Sequence, residues 1–459
     1  MTVRFRMYRQ GLGDCFLLSF DTGGGNRKHL LVDCGVLLGS SPEKMKMAVD
    51  DIAKTAGRLD WVVASHEHWD HISGFSQAKD RFEAMKIGEV WLAWTENPDD
   101  PQAKEIRADR ALRVAGIRQA VAAARAAPSK FVQQTAERAE SVLEFFGPAA
   151  AGGTSDAMDY IRGRVPKAQR RYLEPGDSFT LEDVPHVRVF VLGPPRNEKY
   201  LHKSRPSKKA AETYFRPSLS PHGCFLAGVG VRTGTPVDDG SFPFDEHWRV
   251  PRGSSSGDPN LDRFLASTYD DPHAKWRQIE DDWLGASGEV ALQLDSDTNN
   301  TSLVLAIELA EGGGVILLPA DAQVGNWLSW REVSFQVPSA KGGNRTVSAN
   351  DLLARTVLYK VGHHGSHNAT LRADGLEKMI SDDLIAAIPV DSAMAKKKKW
   401  NMPLPRLFDR LVEKAHGRVL RIDEGLPSAE TLRVADAGKS REFMTLARET
   451  DLYLEIELR

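Results

Sequence analysis

Residues 65–75 read Ser-His-Glu-His-Trp-Asp-His-Ile-Ser-Gly-Phe. His66, His68, Asp70 and His71 fall close together here, and imidazole nitrogen with carboxylate oxygen is a donor set that zinc prefers. The preceding Leu59-Asp60-Trp61-Val62-Val63-Ala64 is an apolar run of strand length. The four side chains therefore sit on the loop leaving a strand, and such a loop turns several side chains toward one point. Adjacent Asp70 and His71 can face away from the His66/His68 pair, which leaves room for two metals. No Ser-His-Asp or Cys-His nucleophile pattern competes. The runs Gly23-Gly24-Gly25 and Gly312-Gly313-Gly314 look like hairpin turns between strands and not like phosphate loops.

His-X-His-X-Asp-His after an apolar strand resembles the signature of the metallo-β-lactamase-fold hydrolases. Upstream, Gly11-Leu12-Gly13-Asp14-Cys15-Phe16-Leu17-Leu18 and His29-Leu30-Leu31-Val32-Asp33-Cys34-Gly35 look like the first hairpin of that fold. Downstream, Asn299-Asn300-Thr301-Ser302-Leu303-Val304-Leu305 is followed by Val315-Ile316-Leu317-Leu318-Pro319-Ala320-Asp321. Then Val357-Leu358-Tyr359-Lys360-Val361 leads into Gly362-His363-His364-Gly365-Ser366-His367. The variant these stretches resemble most is the hydrolase domain of the competence DNA-uptake (ComEC-like) family.

The resemblance implies an α/β fold, an αββα sandwich of two β-sheets flanked by helices, here with two insertions. It implies that Asp33 supports the metal loop and that Asp321 bridges two metals. Asp70 contacts the second metal and orients the nucleophilic water. One histidine of the 363/364 pair binds the second metal; His364 is favoured, with His363 facing the substrate, and the order stays open. Many members supply a third histidine to the first metal where this chain has Asn299 and Asn300, and the competence-like branch tends to have asparagine there. An amide oxygen is a weaker zinc ligand than imidazole, so the first metal is expected to bind loosely, or to be manganese in place of zinc. His202, His222, His247 and His273 are the other histidines weighed for that gap. A His-Pro pair common in the branch reads Met402-Pro403 here, which removes any role for that histidine.

A divalent metal lowers the pKa of bound water toward 7, and a second ion about 3.5–4 Å away clamps the attacking and leaving oxygens of a phosphate ester. The chemistry expected is therefore metal-dependent hydrolysis with one or two Zn2+ ions, Mn2+ being the other candidate. A phosphodiesterase or nuclease heads the readings. Hydrolysis of another small ester (phosphoester, thioester or lactam) is the alternative, and a metal-binding component of a larger complex is the third.

With 459 residues the chain is long enough for one large core with insertions. The formal charge of −3 gives no global bias toward nucleic acid. Three cysteines (Cys15, Cys34 and Cys224) are too few for a disulfide framework, and Cys15 and Cys34 lie on the first predicted strands, where free buried thiols are common. The N-terminal Met1-Thr2-Val3-Arg4-Phe5-Arg6 lacks a signal-peptide stretch, and no apolar run reaches membrane-spanning length. The expectation is a cytoplasmic stand-alone enzyme, unlike the competence channel.

The core is expected at 1–95, 172–195 and 293–425, as one domain. Residues 98–171 read as a helical insertion, with helices at Ala103–Ala127 and Phe131–Phe146. Residues 196–292 read as a loop-rich insertion. It opens with Lys199, Lys203, Arg205, Lys208, Lys209 and Arg216, with Tyr200, Tyr214 and Phe215 interleaved, a pattern suited to a phosphate-rich ligand or to a solvated loop. Lys396, Lys397, Lys398 and Lys399 are candidates for phosphate binding at the site mouth, against the solvated reading of a charge run. Residues 426–459 form a tail whose alternating Leu452–Leu458 reads as a strand at a sheet edge. A nucleic acid or nucleotide substrate, and a protein partner docking through the insertions, are the partners considered.

Overall fold

The computed structural model describes residues 2–125, 130–148, 153–203, 256–268, 271, 287–432 and 437–458. The chain divides into two compact units: Met1–Asp109 with Glu144–Ser218 and Asp295–Arg459, and Arg110–Leu143 with Leu219–Leu294. In the second unit Arg125 pairs with Glu140 at 2.5 Å, and residues Pro259–Thr268 form a helix. Arg205, Lys208, Lys209, Tyr214, Phe215, Arg216, His222, Cys224, His247 and His273 lie outside the described residues.

The first unit carries two large sheets. Strands are β1 (Val3–Tyr8), β2 (Cys15–Gly23), β3 (Asn26–Cys34), β4 (Arg58–Ala64), β5 (Lys86–Ala93), β6 (Arg170–Leu173), β7 (Ser178–Leu181), β8 (Val184–Gly193), β9 (Val304–Glu308) and β10 (Val315–Leu318). They continue as β11 (Ser334–Pro338), β12 (Asn344–Ser348), β13 (Thr356–Lys360), β14 (Ile385–Ile388), β15 (Val419–Arg421), β16 (Ala447–Glu449) and β17 (Tyr453–Leu458). One sheet has the order β16-β17-β1-β2-β3-β4-β5-β6 and the other β15-β14-β13-β10-β9-β8-β7, while β11 and β12 form a separate hairpin. Both large sheets are antiparallel on one side and parallel on the other: β3 to β6 run parallel, as do β10, β13, β14 and β15.

Side chains alternate faces along a strand, and the burial follows that rule. Leu30, Val32, Trp61 and Val63 of the first sheet share a core with Val189, Leu305, Ile307 and Ile316 of the second. Leu31, Val62 and Leu92 point the other way, toward Met45, Val49 and Ile52 of helix Pro42–Ala56 and Ile72 and Phe75 of helix Trp69–Gln77. A strand covered on both faces reads as a continuous apolar run, which is why β4 and β10 were conspicuous in the sequence. No helix among the described residues is long and apolar enough to cross a membrane.

Two expectations need correction. The segment expected as a helical insertion does not stay apart from the core up to residue 171. Helix Gly153–Gly163 buries Ala157, Met158 and Ile161 in the same cluster as Ile72 and Phe75, and β6 is the edge strand next to β5. The stripe at 157, 158 and 161 has the spacing of one helix face and supplies the apolar surface that docks it. The tail strand β17 is also not an edge: it pairs with β1 on one side and β16 on the other. The three-residue β16 is the edge, because the chain doubles back through Thr450, whose hydroxyl accepts from the backbone N–H groups of Leu452 and Tyr453.

Backbone meets backbone where the strand ends gather. Asp14 N–H donates to Asp70 O at 2.9 Å, and Gly35 N–H donates to Asp14 O at 2.9 Å. A Cβ on Gly35 would fall 2.3 Å from both the Asp70 carbonyl carbon and the His71 nitrogen. The end of β3 and the metal loop therefore touch only because residue 35 has no side chain. Gly35→Ala is expected to cost about 1–3 kcal/mol by overpacking, measured by denaturant unfolding. Gly163→Ala, where a Cβ meets open space, is expected to be neutral or slightly stabilising. Equal behaviour of the two variants would contradict the close approach.

Candidate metal centre

The candidate ligands leave strand ends or stand on the helix that follows one. His66 and His68 follow β4, but Asp70 and His71 are not on the expected loop: they stand in the first turn of helix Trp69–Gln77, for which His68 is the N-cap. Asp321 follows β10, and His363 and His364 follow β13. The bend after β13 uses left-handed backbone at both His363 (φ 44°) and His364 (φ 52°), and Asp33 (φ 55°) and Ala320 (φ 49°) do the same nearby. Left-handed backbone in a non-glycine residue costs on the order of 1–2 kcal/mol. Four such residues around one point mark a place where geometry has been kept at the expense of stability.

His71 Nε2 and His364 Nε2 converge on two carboxylates. The first lies 3.0 Å from Asp321 Oδ2 and 3.9 Å from Asp70 Oδ2; the second lies 3.8 and 3.0 Å from the same atoms. All four residues are buried. His66 Nε2 and His68 Nδ1 face each other at 3.1 Å, forming a second point beside the first. His363 Nε2 is 4.0 Å from Asp321 Oδ2, farther than His364, and its Nδ1 hydrogen-bonds Ser366 Oγ at 3.0 Å.

Outer contacts fix these side chains. Asp33 Oδ1 accepts from Ser65 N–H, and its Oδ2 contacts His71 Nδ1 at 2.8 Å. His364 Nδ1 donates to Pro389 O at 2.7 Å. Asp321 Oδ1 accepts from His363 N–H and from Lys360 Nζ, which turns Oδ2 toward the imidazoles. Lys360 is buried and also reaches Asp14 Oδ2 at 2.5 Å and Ala320 O at 2.8 Å. Burial alone would lower the Lys360 pKa, but Asp14 and Asp321 outweigh it and hold the ammonium form.

The electrostatics separate the five metal-loop and bend histidines, and burial, first of all, holds His66 well below its ordinary value. Burial drives His68 down to about 3 and His363 down to about 4, so both are neutral rings at neutral pH. His71 and His364 go up: burial lowers them, but Asp321 and the neighbouring carboxylates outweigh it. Carboxylates that hold a proton on these two rings are placed to hold a cation instead. One donor atom from each of Asp14, His71, Asp321 and His364 lies within 4.8 Å of the others. Buried Asp70 Oδ1, His68 Nε2, Asp295 Oδ1 and Asn299 Oδ1 have no hydrogen-bond partner. Buried polar groups without protein partners are rare, and a bound ion is one of their ordinary explanations. The donor set therefore fits one or two divalent ions.

The remaining candidates separate. Asn300 is committed elsewhere: Nδ2 donates to Leu201 O and Lys203 O, and Oδ1 accepts from Asn326 N–H. Asn299 stays near the centre, donating to Asp295 Oδ2 at 3.2 Å. His202 pairs with Asp297 at 3.2 Å. Lys398 pairs with Glu144, while Lys396, Lys397 and Lys399 are exposed. The next residue, Trp400, stacks on Phe145 with ring centroids 5.1 Å apart, and Phe145 in turn contacts the rings of His68 and His363. Three participants had no expected role: Asp14, Lys360 and Asp295. Asp14 lay in the quoted hairpin, and its signal was the glycine on either side of the approach, Gly13 and Gly35. Lys360 and Asp295 carried no local signal.

Residues 8–148 match the Metallo-beta-lactamase superfamily. That match contains β2 to β5 and the whole His66–His71 loop. The metallo-β-lactamase fold continues beyond it, because the second sheet supplies Asp321 and His364. No curated protein matches the chain.

The buried Lys360 ammonium is the cation that balances Asp14 and Asp321 when no metal is bound. Lys360→Met is expected to destabilise the metal-free protein by about 3–5 kcal/mol, the usual cost of removing one partner from a buried ion pair. Unfolding curves recorded in chelator test this, and an unchanged midpoint would remove Lys360 from the charge balance.

Proposed function

We propose that the chain is a metal-dependent hydrolase that cleaves phosphodiesters, as a nuclease or phosphodiesterase, with Zn2+ or Mn2+ at the centre. The observation carrying this reading is the convergence of Asp70, His71, Asp321 and His364 beside the His66/His68 pair. His66 and His68 would hold the first ion, Asp70, His71 and His364 the second, with Asp321 between them. When bound, such ions acidify a water molecule and polarise the ester oxygens.

The chain's own residues do the rest. Asp70 Oδ2 faces His364 Nε2 at 3.0 Å, and its unpartnered Oδ1 is the atom that would orient a water molecule. His363, neutral and held through Ser366, has Nε2 4.0 Å from Asp321 Oδ2 and would face the substrate. Lys360 and the His363 N–H keep Asp321 Oδ1 occupied, so its other oxygen cannot rotate away. Lys396, Lys397 and Lys399 next to the Trp400–Phe145 stack suit a phosphate backbone with an adjacent base. Lys398, tied to Glu144, anchors the segment instead of contacting substrate. The aromatic rings beside His68 also suit an apolar acyl group, and this is the observation in favour of a small ester as second reading. Kinship with the competence-like branch is part of the proposal and supports the nucleic-acid substrate.

Two experiments test it. Purified chain assayed on single-stranded DNA, RNA, cyclic nucleotides, a chromogenic diester and small carboxylic esters is expected to cleave diesters. Chelator and Asp321→Ala are each expected to bring activity to background while the fold survives. Hydrolysis of carboxylic esters alone would move the assignment to the second reading, and chelator-resistant activity would end both. Neutralising Lys396, Lys397 and Lys399 to glutamine is expected to weaken oligonucleotide binding and to reduce its salt slope by about 1 for every phosphate left without its lysine. The small chromogenic diester should respond little; equal loss on both substrates would place these lysines outside the binding path.

A further inference from the structure

Three of the four histidines assigned to the metals have one ring nitrogen tied outward and the other facing in. His66 Nδ1 meets Ser65 Oγ at 3.1 Å, His71 Nδ1 meets Asp33 Oδ2 at 2.8 Å, and His364 Nδ1 meets Pro389 O at 2.7 Å. His68 is reversed. Its Nδ1 faces His66 Nε2, so its outward nitrogen is Nε2, and that atom is buried without a hydrogen-bond partner. The carboxylate facing it belongs to Asp295, on helix Ser287–Asn299, with Oδ1 at 3.9 Å. Asp295 Oδ1 is itself buried and unpartnered, while Oδ2 accepts from Asn299 Nδ2 one helical turn on.

We propose that Asp295 is the positioning residue of His68: its Oδ1 accepts the Nε2–H and thereby fixes Nδ1 as the metal-facing nitrogen. This rests on the metal reading above and adds a residue to it. Ligating histidines commonly give their other N–H to a carboxylate, which fixes the tautomer and raises ligand basicity. The 3.9 Å gap is about 1 Å longer than a hydrogen bond of this kind, a distance that rotation of either side chain closes. Asn299 then acts one step further out, holding the carboxylate. The first site is thus compensated for a missing third imidazole by a better-oriented second one.

The test uses the full chain and Co2+ alone as probe, read by calorimetry and visible absorption. Wild type is expected to bind two ions. Asp295→Ala is expected to weaken one of them about 10- to 100-fold and leave the other unchanged. Asp295→Asn keeps an acceptor oxygen and is expected to recover most of the loss. His68→Ala should weaken the same ion, and the double variant should be no worse than His68→Ala, since the two act through one ring. The metal-free Asp295→Ala protein should remain folded, losing the Asn299 Nδ2–Asp295 Oδ2 hydrogen bond, so a weaker ion is not a sign of unfolding. Wild-type affinity in Asp295→Ala would overturn the proposal. A variant Asp295→Asn as weak as the alanine form would also overturn it, by making Asp295 a ligand in its own right. Wild type binding no Co2+ would instead overturn the metal centre itself.

Discussion

Buried charge of one sign must be balanced within a few ångströms, and the interior of this fold holds Asp14, Asp33, Asp70, Asp321 and Asp295. An isolated buried carboxylate is costly enough that proteins neutralise or pair it. Here the pairing is divided. Lys360 serves Asp14 and one oxygen of Asp321, and His71 and His364 face the other. The ammonium stays in place, while the imidazoles would give up a proton to a bound cation. Such a division lets a strongly acidic centre exist both empty and filled without losing the fold around it.

The two sheets meet that demand through topology. The site residues emerge where strands end, and strand ends are where side chains stop alternating between faces and can turn toward a common point. The antiparallel half of each sheet closes the core. The parallel half presents its carboxyl ends on one side, and helices cover the outer faces. Gly35 and Gly13 permit the closest contact, where β2, β3 and the metal loop pass backbone against backbone. Strain in the bends at Asp33, Ala320, His363 and His364 is the cost of assembling the centre from two sheets.

What could be read from the chain alone was what is local. His66 to His71 follow one apolar strand, and His363 and His364 follow another, so spacing carried the information. Asp321 was legible because a strand-length apolar run precedes it. Asp14 was not, since its partners come from positions 71, 321, 360 and 364 and only the pairing of β2 with β3 brings it there. Asp295 was hidden for a different reason: it lies on a helix with little amphipathic pattern, and its partner is the far nitrogen of a ligand. Asn300 showed the opposite failure, a plausible ligand by position whose amide is fully used by the backbone of 201, 203 and 326. The place of β17 was lost because an alternating pattern does not distinguish a strand with one neighbour from a strand with two.

That placement has a kinetic side. Arg6 on β1 bonds Glu455 on β17, 449 residues away along the chain, and stacks on the ring of Tyr453. Contacts of such separation carry the largest loop-closure entropy and form slowly. Until they form, β1 presents a free edge of unpaired N–H and C=O groups, the kind of surface on which chains pair with one another. The metal loop, by contrast, lies within the first hundred residues beside strands that are sequence neighbours. During synthesis the ligands of that loop would therefore be gathered early and the sheet sealed last, so the window for misassembly belongs to the edge at β1 and not to the centre.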